Sequence, residues 1–415
     1  MNMILIYNFD MAKVRIIVFL ITIVVVGTVL YVASLYARGY RFNPQTLKFI
    51  PNGLLIIKSV PDGAQLFING EFKTATNTTL PLPPGTYDIR VEKEGFWTWS
   101  KRMTIEKEIV TEATAHLFKI APSLSAITFS GTLNPTPSRD FTKIAYVVPA
   151  GVNGFENQNN PRLWVVEMLN LPLGFSREPK GITDGDLADA SWIWSPDGRE
   201  ILLTTPQGVF LLNSGTFTPQ SERINVISKK EAILTSWNEE LKKRREAQIA
   251  KLPDELEDIL RRKTSSFVLS PDEDMVLYTA SASATIPTNI VKQLPGASTQ
   301  KQERNLKVGG SYVYDIKEDR NFLIVEDSND LTIDGGTQSQ AKRRLGWFST
   351  SRHLVLAEND KITILDYDGT NRQTVYAGVY FSPNAFSTLS IDRLLILTNL
   401  GAYTATPNLY SLGLK

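Results

Sequence analysis

Cysteine is absent from all 415 residues, so neither a disulfide framework nor a thiolate metal site exists anywhere in the chain. A chain of this length builds its core without covalent staples, and the absence therefore says little about compartment. Histidine is nearly absent too. His116 and His353 stand far apart in the sequence, and a histidine metal centre or acid–base pair would need both to converge. Nor is there excess charge of one sign: 44 basic residues face 43 acidic ones, for a net charge of +1. That balance gives no field to draw in nucleic acid, and no nucleic-acid partner is expected. The chain also lacks a G-x-S-x-G nucleophile elbow, a P-loop, a G-x-G-x-x-G and an H-E-x-x-H. No catalytic, cofactor-binding or metal-ligating residue is assigned, and none of these chemistries is expected.

What the chain does have is one long apolar run. Ile16 to Leu35 reads IIVFLITIVVVGTVLYVASL without a charge, close to the roughly 20 residues a helix needs to cross the hydrocarbon layer. Its β-branched residues suit a helix poorly in water. In lipid the backbone has to satisfy its own hydrogen bonds, and helix is the spanning form left to a single segment. Lys13 and Arg15 flank one end and Arg38 and Arg41 the other, so flanking charge alone does not set orientation. The mass that follows does: residues 1–13 read as a short cytoplasmic tail, 14–37 as a signal anchor, and everything after Arg38 as exported from the cell. The rival readings are a buried core helix, which would show a polar face, and a signal peptide cleaved after Ala37, whose apolar region would be shorter. Met11 is an alternative start.

At 415 residues two or three domains are expected. Aromatic residues and runs of Val, Ile and Thr favour strands, so the bulk is read as all-β. After a linker over 38–52, residues 53–118 alternate in the strand period: LLIIKSV, AQLFING, TYDIRVEKEG, KRMTIEKEIVTEATAHLF. Pro61-Asp62-Gly63, Asn69-Gly70 and Pro83-Pro84-Gly85 break the runs with turn chemistry. An antiparallel unit of four or five strands is expected.

The strings Ser59-Val60-Pro61-Asp62-Gly63-Ala64, Phe67-Ile68-Asn69-Gly70, Pro84-Gly85-Thr86-Tyr87-Asp88-Ile89-Arg90-Val91 and Gly95-Phe96 together resemble a PEGA domain. Asp62 stands where that family has its signature Glu, and Lys73-Thr74-Ala75-Thr76 where it has G-x-T-P. The resemblance implies a small surface β-sandwich serving as a binding or spacer module rather than an enzyme. Phe96, Trp97 and Trp99 form an aromatic group with the last two on one strand face. They are either a stacking platform for sugar or peptide, or the edge of a core.

From 119 to 415 one theme recurs. Trp192-Ile193-Trp194-Ser195-Pro196-Asp197-Gly198 followed by Glu200-Ile201-Leu202-Leu203-Thr204 is echoed by Phe267-Val268-Leu269-Ser270-Pro271-Asp272 followed by Met275-Val276-Leu277-Tyr278-Thr279. Weaker copies lie at 134–147, 345–356 and 386–398, and several are followed by another strand such as Leu163–Glu167, Gly208–Leu212, Ser311–Asp315 and Lys361–Asp366. Short strands at a period near 40 suit a propeller, and the pattern resembles TolB-like or WD40-like repeats. About five or six blades are expected, with the first and last strands closing the ring. Asp197 and Asp272 are read as turn residues.

Two stretches break the period. Residues 229–263 read as an inserted helical hairpin, with Leu234, Trp237 and Leu241 on one face, ion pairs four residues apart, and a second helix opening at Pro253. The hairpin is either a partner-docking arm carried by Trp237 or a prop on the propeller flank. Residues 281–308 are polar and read as a flexible loop. Asp184, Asp186 and Asp189 do not complete a calcium loop, and Glu326, Asp327, Asp330 and Asp334 match no ligand spacing.

The reading is an all-β chain with one transmembrane helix, a PEGA-like sandwich and a propeller, held on the outer face of the cell membrane. Its expected partners are the membrane, through that helix, and a protein or an envelope polysaccharide. The different-class alternative is a propeller lyase or glycosidase with acids converging in the central channel.

Overall fold

A computed structural model describes the chain apart from residues 1–2, 45–46, 151–161, 169–177, 293–297, 335–340 and 403, and apart from the side chains of 3–12 and 43. Part of the expected tail and part of the 281–308 loop therefore lie outside the described residues. The chain divides into two compact units. Unit 1 holds residues 1–92, 99–116 and 295–299, and unit 2 the remainder.

Unit 1 begins with helix α1, Met3–Ala37, of which Lys13–Ala37 is long and apolar enough to cross a membrane. A hairpin follows, β1 (Tyr40–Asn43) with β2 (Lys48–Pro51). Then come β3 (Gly53–Val60), β4 (Gln65–Ile68), β5 (Glu71–Ala75), β6 (Thr78–Leu82), β7 (Gly85–Glu92), β8 (Trp99–Ile105) and β9 (Val110–His116). They form two sheets, ordered β6-β3-β9 and β5-β4-β7-β8. The four or five antiparallel strands expected from sequence are thus seven, and β3 pairs with β9 in parallel, Leu54 with Val110 through Val60 with His116. A parallel partner leaves no hairpin turn in the sequence to announce it.

Alternation puts Leu55, Ile57, Leu66, Ile68, Ile89, Val91, Trp99 and Ile105 inside unit 1. The Asn69-Gly70 turn joins β4 to β5 with both residues at positive φ, as a two-residue hairpin requires. Where the family's G-x-T-P is missing, Thr76 takes over. Its hydroxyl accepts from the Ala64 amide at 3.0 Å and shares a hydrogen with Ser59 Oγ at 2.6 Å, while its own amide donates to Ala64 O at 2.7 Å.

Unit 2 is a β-propeller of meandering sheets, five of them among the described residues. Sheet I comprises Leu133–Pro137, Lys143–Val148, Arg162–Glu167 and Lys180–Asp184; sheet II comprises Ser191–Trp194, Glu200–Thr205 and Gly208–Asn213. Sheet III comprises Thr264–Leu269, Met275–Ala280, Ser311–Asp315 and Arg320–Val325. Sheet IV comprises Arg343–Trp347, His353–Ala357, Lys361–Asp366 and Gln373–Ala377, with Leu331–Ile333 added in parallel at its first edge. Sheet V comprises Ala385–Ser387, Arg393–Thr398 and Asn408–Gly413, and it is completed by Ser123–Ala126 from ahead of sheet I, Ser123 pairing with Gly413.

Apolar clusters join the sheets face to face. Ile144, Tyr146 and Val166 of sheet I pack on Phe386, Leu395 and Leu409 of sheet V. Ala145 and Leu163 pack on Trp192, Trp194 and Leu203 of sheet II. Met275, Leu277 and Val313 of sheet III meet Leu345, Leu354 and Leu356 of sheet IV, which meets sheet V through Val355, Ile364, Leu394 and Ile396.

Sheet III has a second apolar face, Val276, Tyr278, Tyr312 and Tyr314. The inserted helices cover it. Helix α2 spans Lys230–Ile249 and helix α3 spans Asp254–Arg262, and Leu252, Leu256, Ile259 and Leu260 lie against that face. Residues 281–308 include a strand pair, Ala284–Thr285 with Asn305–Leu306, whose Ile286 and Leu306 join the same cluster.

Candidate interaction surfaces and the blade turns

The repeat is built on a turn that the sequence discloses only in part. In sheet I Ser138 Oγ donates to Asp140 Oδ1 at 2.6 Å and accepts from the Lys143 amide at 3.0 Å. Sheet II repeats this with Ser195, Asp197 and Glu200 at 2.6 and 2.9 Å, and sheet III with Ser270, Asp272 and Met275 at 2.6 and 3.0 Å. The hydrogen bond from Ser195 holds the Asp197 carboxyl below its ordinary pKa. In sheet IV, without the Ser and Asp, the backbone frame survives, Phe348 N donating to His353 O at 2.9 Å, and Thr350 Oγ1 shares a hydrogen bond with His353 Nδ1 at 2.7 Å. The residue three places after each turn's start has positive φ: Phe141 (53°), Gly198 (67°), Glu273 (60°) and Ser351 (59°). Only the glycine announces this backbone in the sequence.

A second device links neighbouring sheets. Trp194 Nε1 donates to Thr136 O at 3.0 Å, and Trp347 Nε1 donates to Val268 O at 3.2 Å. Each tryptophan stands at the end of the first strand of its sheet and reaches the first strand of the sheet before. Sequence reading missed the pair, although Trp194 and Trp347 occupy matching places in the two copies and alignment on the turns would have found them.

Three of the acids singled out from sequence, Asp184, Asp186 and Asp334, are engaged by neighbouring groups. Asp184 Oδ1 accepts from the Gln220 amide at 2.8 Å, and Asp186 accepts from the Ala188 amide at 3.4 Å and from Gln207 Nε2 at 3.1 Å. Asp334 pairs with Arg344, whose guanidinium carbon lies 4.8 Å from the centre of the Phe386 ring and 5.6 Å from that of Phe141. Among the described residues no three His, Asp or Glu side chains group as a metal site would. Asp315, 1% exposed at the end of its strand, is pushed up to about 6 by burial and then by Glu318.

The aromatic residues separate. Trp99 is 4% exposed at the start of β8, opposite Val91. Trp97 lies before that strand, so the two do not share a strand face. Its amide is drawn off to Phe118 O at 2.8 Å, and its half-buried ring packs on the core of sheets IV and V. Phe96, half-buried, bridges to Lys119.

Trp237 is half-buried on α2 together with Leu234 and Leu241. Helix α2 and Lys251, just past its end, reach two blade turns. Arg244 Nη1 donates to Pro196 O at 3.0 Å, and Gln248 and Lys251 bind Glu273 at 3.1 and 2.7 Å, which lowers the Glu273 pKa. The Arg245 guanidinium stacks 4.0 Å from the Phe267 ring centre. The outward face of α2 is charged and exposed.

Residues 52–120 match the family model of the PEGA domain. No curated protein matches the chain in sequence. Among solved structures the chain is similar to a putative TolB from Agrobacterium tumefaciens, at 12% identity over 68% of this chain and 78% of that one, with a TM-score of 0.22. It is similar to the β-propeller domain of the Trilobed protease from Pyrococcus furiosus, at 12% identity over 87% and 95%, with a TM-score of 0.20. An oligogalacturonate lyase in complex with manganese matches at 11% identity over 79% and 74%, with a TM-score of 0.21. These likenesses carry nothing about function, and the propeller rests on the pairing and packing of its own sheets. The chain thus carries a PEGA domain over residues 52–120, followed by a β-propeller.

Proposed function

We propose that the chain is a single-pass membrane protein whose α1 is retained as an anchor, with the PEGA domain and the propeller outside the cytoplasm. There the propeller serves as a binding platform for a protein or a cell-envelope polysaccharide. Retention is supported by the way the helix runs on into folded chain: Arg38 N donates to Ser34 O at 3.0 Å, Gly39 N to Tyr36 O at 3.1 Å, and Asn52 N to Gly39 O at 3.3 Å. Cleavage after Ala37 would discard two of these three contacts. The observation that carries the binding reading is the use made of the repeat carboxylates. Asp140, Asp197 and Asp272 each fasten a turn through a serine two residues earlier, which leaves them serving the scaffold. Rigid turns presented by packed sheets make a platform whose ligand is chosen by the surface.

Two experiments test this. Protease shaving of intact cells expressing the full chain, tagged at Lys415, is expected to remove the tag; protection would overturn the orientation. The tagged full chain, solubilised from the envelope, is expected to co-purify with a defined protein or with polysaccharide of unchanged length. Progressive shortening of that polysaccharide would overturn the binding reading in favour of a lyase or glycosidase.

A further inference from the structure

The segment that leaves the helix has a composition and a geometry of its own. Between Asp10 and Asp62 the chain has no acidic residue, while Arg38, Arg41 and Lys48 follow the apolar run. Tyr36, Tyr40, Phe42 and Phe49 alternate with them. Helix α1 ends at Ala37 and β1 begins at Tyr40, so two residues, spanning at most about 7 Å, separate helix from hairpin. Gly39, at φ 89°, makes the corner.

The hairpin leans on the helix end. The Phe49 ring lies 6.0 Å from Tyr36, edge to face, and 5.5 Å from its cross-strand partner Phe42. The Arg41 guanidinium carbon sits 5.3 Å from the Tyr36 ring centre, and its Nη1 donates to Tyr36 O at 3.3 Å and to Tyr40 O at 3.0 Å. Tyr40 Oη donates to Glu108 Oε1 at 2.7 Å, occupying a nearby acid of the same unit. Yet Tyr36, Phe42 and Leu47 remain 46%, 44% and 75% exposed. A two-stranded hairpin showing aromatic and aliphatic side chains to water is marginal alone.

We propose that β1–β2 lies in the headgroup layer of the bilayer that α1 crosses, as a collar that binds anionic phospholipid. Tyr36, Phe42 and Leu47 enter the interface, and Arg38, Arg41 and Lys48 meet lipid phosphates. The inference rests on the anchor reading above. The twenty residues Ile16–Leu35 rise about 30 Å as a helix, the thickness of the hydrocarbon core, so the helix end and its tethered hairpin emerge at headgroup depth. Aromatic rings favour that layer, and basic side chains there are drawn to anionic lipid.

The absence of cysteine makes the test free of background labelling. The full chain carrying Leu47→Cys, labelled with an environment-sensitive fluorophore, is reconstituted into vesicles of phosphatidylcholine alone or mixed with phosphatidylglycerol. Each set also carries lipid with a nitroxide near the headgroup. Blue-shifted emission, mostly quenched in the mixed vesicles and less so in phosphatidylcholine, is expected, with Arg41→Glu/Lys48→Glu abolishing the difference. Emission at the water wavelength, unquenched in both vesicles, would overturn the proposal, and equal quenching in both would overturn its anionic-lipid part. Val24→Cys, read with a nitroxide deep in the acyl chains, separates the two claims. Quenching there without quenching at 47 sinks the collar and leaves the anchor, whereas none at Val24 sinks the anchor.

Discussion

Replacing Leu256 by alanine asks whether α3 is part of the propeller or an appendage. Leu256 is fully buried, and with Leu252, Ile259 and Leu260 it covers Val276, Tyr278, Tyr312 and Tyr314 of sheet III. The substitution removes three carbons, which at about 0.8 kcal/mol each is roughly 2.4 kcal/mol of transfer free energy. The cavity left behind brings the total to about 3 kcal/mol, within the range seen for buried Leu→Ala. Helix propensity works the other way, since alanine is the better helix former, so a loss cannot be blamed on the helix itself. Urea unfolding of the full chain in detergent, followed by near-ultraviolet circular dichroism, reads the effect. With a slope of about 3 kcal/mol per molar, the midpoint should fall by roughly 1 M. Lys242→Ala, on the exposed face of α2, should change stability by no more than about 0.5 kcal/mol. A Leu256→Ala midpoint within about 0.3 M of the parent, at that slope, would refute the claim that α3 closes the face of sheet III. The geometry also bears on how the hairpin's binding role should be probed: deleting 229–263 strips an apolar face, so charge reversals on α2 are the informative variants.

Three further outcomes follow from the same geometry. Trp347→Phe keeps an aromatic side chain but removes the indole N–H and strands Val268 O, and should cost about 1–3 kcal/mol by thermal unfolding, with faster amide exchange in the first strands of sheets III and IV. Gly198→Val imposes a β-branched side chain at φ 67° and should cost roughly 1–2 kcal/mol or more, whereas Ser351→Gly at φ 59° should be neutral or stabilising. Asp315 has a folded pKa raised from about 3.8 to about 6, so the folded state holds its proton longer than the unfolded one. Its stabilising contribution is complete below pH 4 and is lost as pH rises toward 6, by up to about 3 kcal/mol. Asp315→Asn should flatten that slope in urea midpoints measured between pH 4 and 6.

The features legible in the sequence are those carried by local chemistry. The apolar run, the Asn69-Gly70 turn and the Ser-Pro-Asp hairpins each announce themselves within a few residues, and the helical insertion shows in its charges. What escaped depends on distant partners. Nothing near β3 says that β9 will lie beside it in parallel, and nothing in Leu331–Ile333 says that it will join sheet IV the same way. The positive φ at Phe141, Glu273 and Ser351 is hidden because side chains unsuited to it are held there by the surrounding turn. The aromatic group misled because spacing of two implies a shared face only inside a strand, and the Trp97 amide bonds elsewhere.

The strand Ser123–Ala126 carries a consequence for biogenesis. Sheet V is finished by residues that leave the ribosome well before its other three strands, and Asn408 Oδ1 accepts from Thr128 Oγ1 and the Gly131 amide across separations of 280 and 277 residues. Closing so long a loop is entropically slow and can occur only when the last strand has arrived. Until then Ser123–Ala126 is a lone strand offering an unpaired edge, at the stage when a nascent propeller is most exposed to mispairing. A chain truncated before Asn408 would leave Ser123–Ala126 without its partner strand and take Leu409, Leu412 and Leu414 out of the clusters that join sheet V to sheets I and IV.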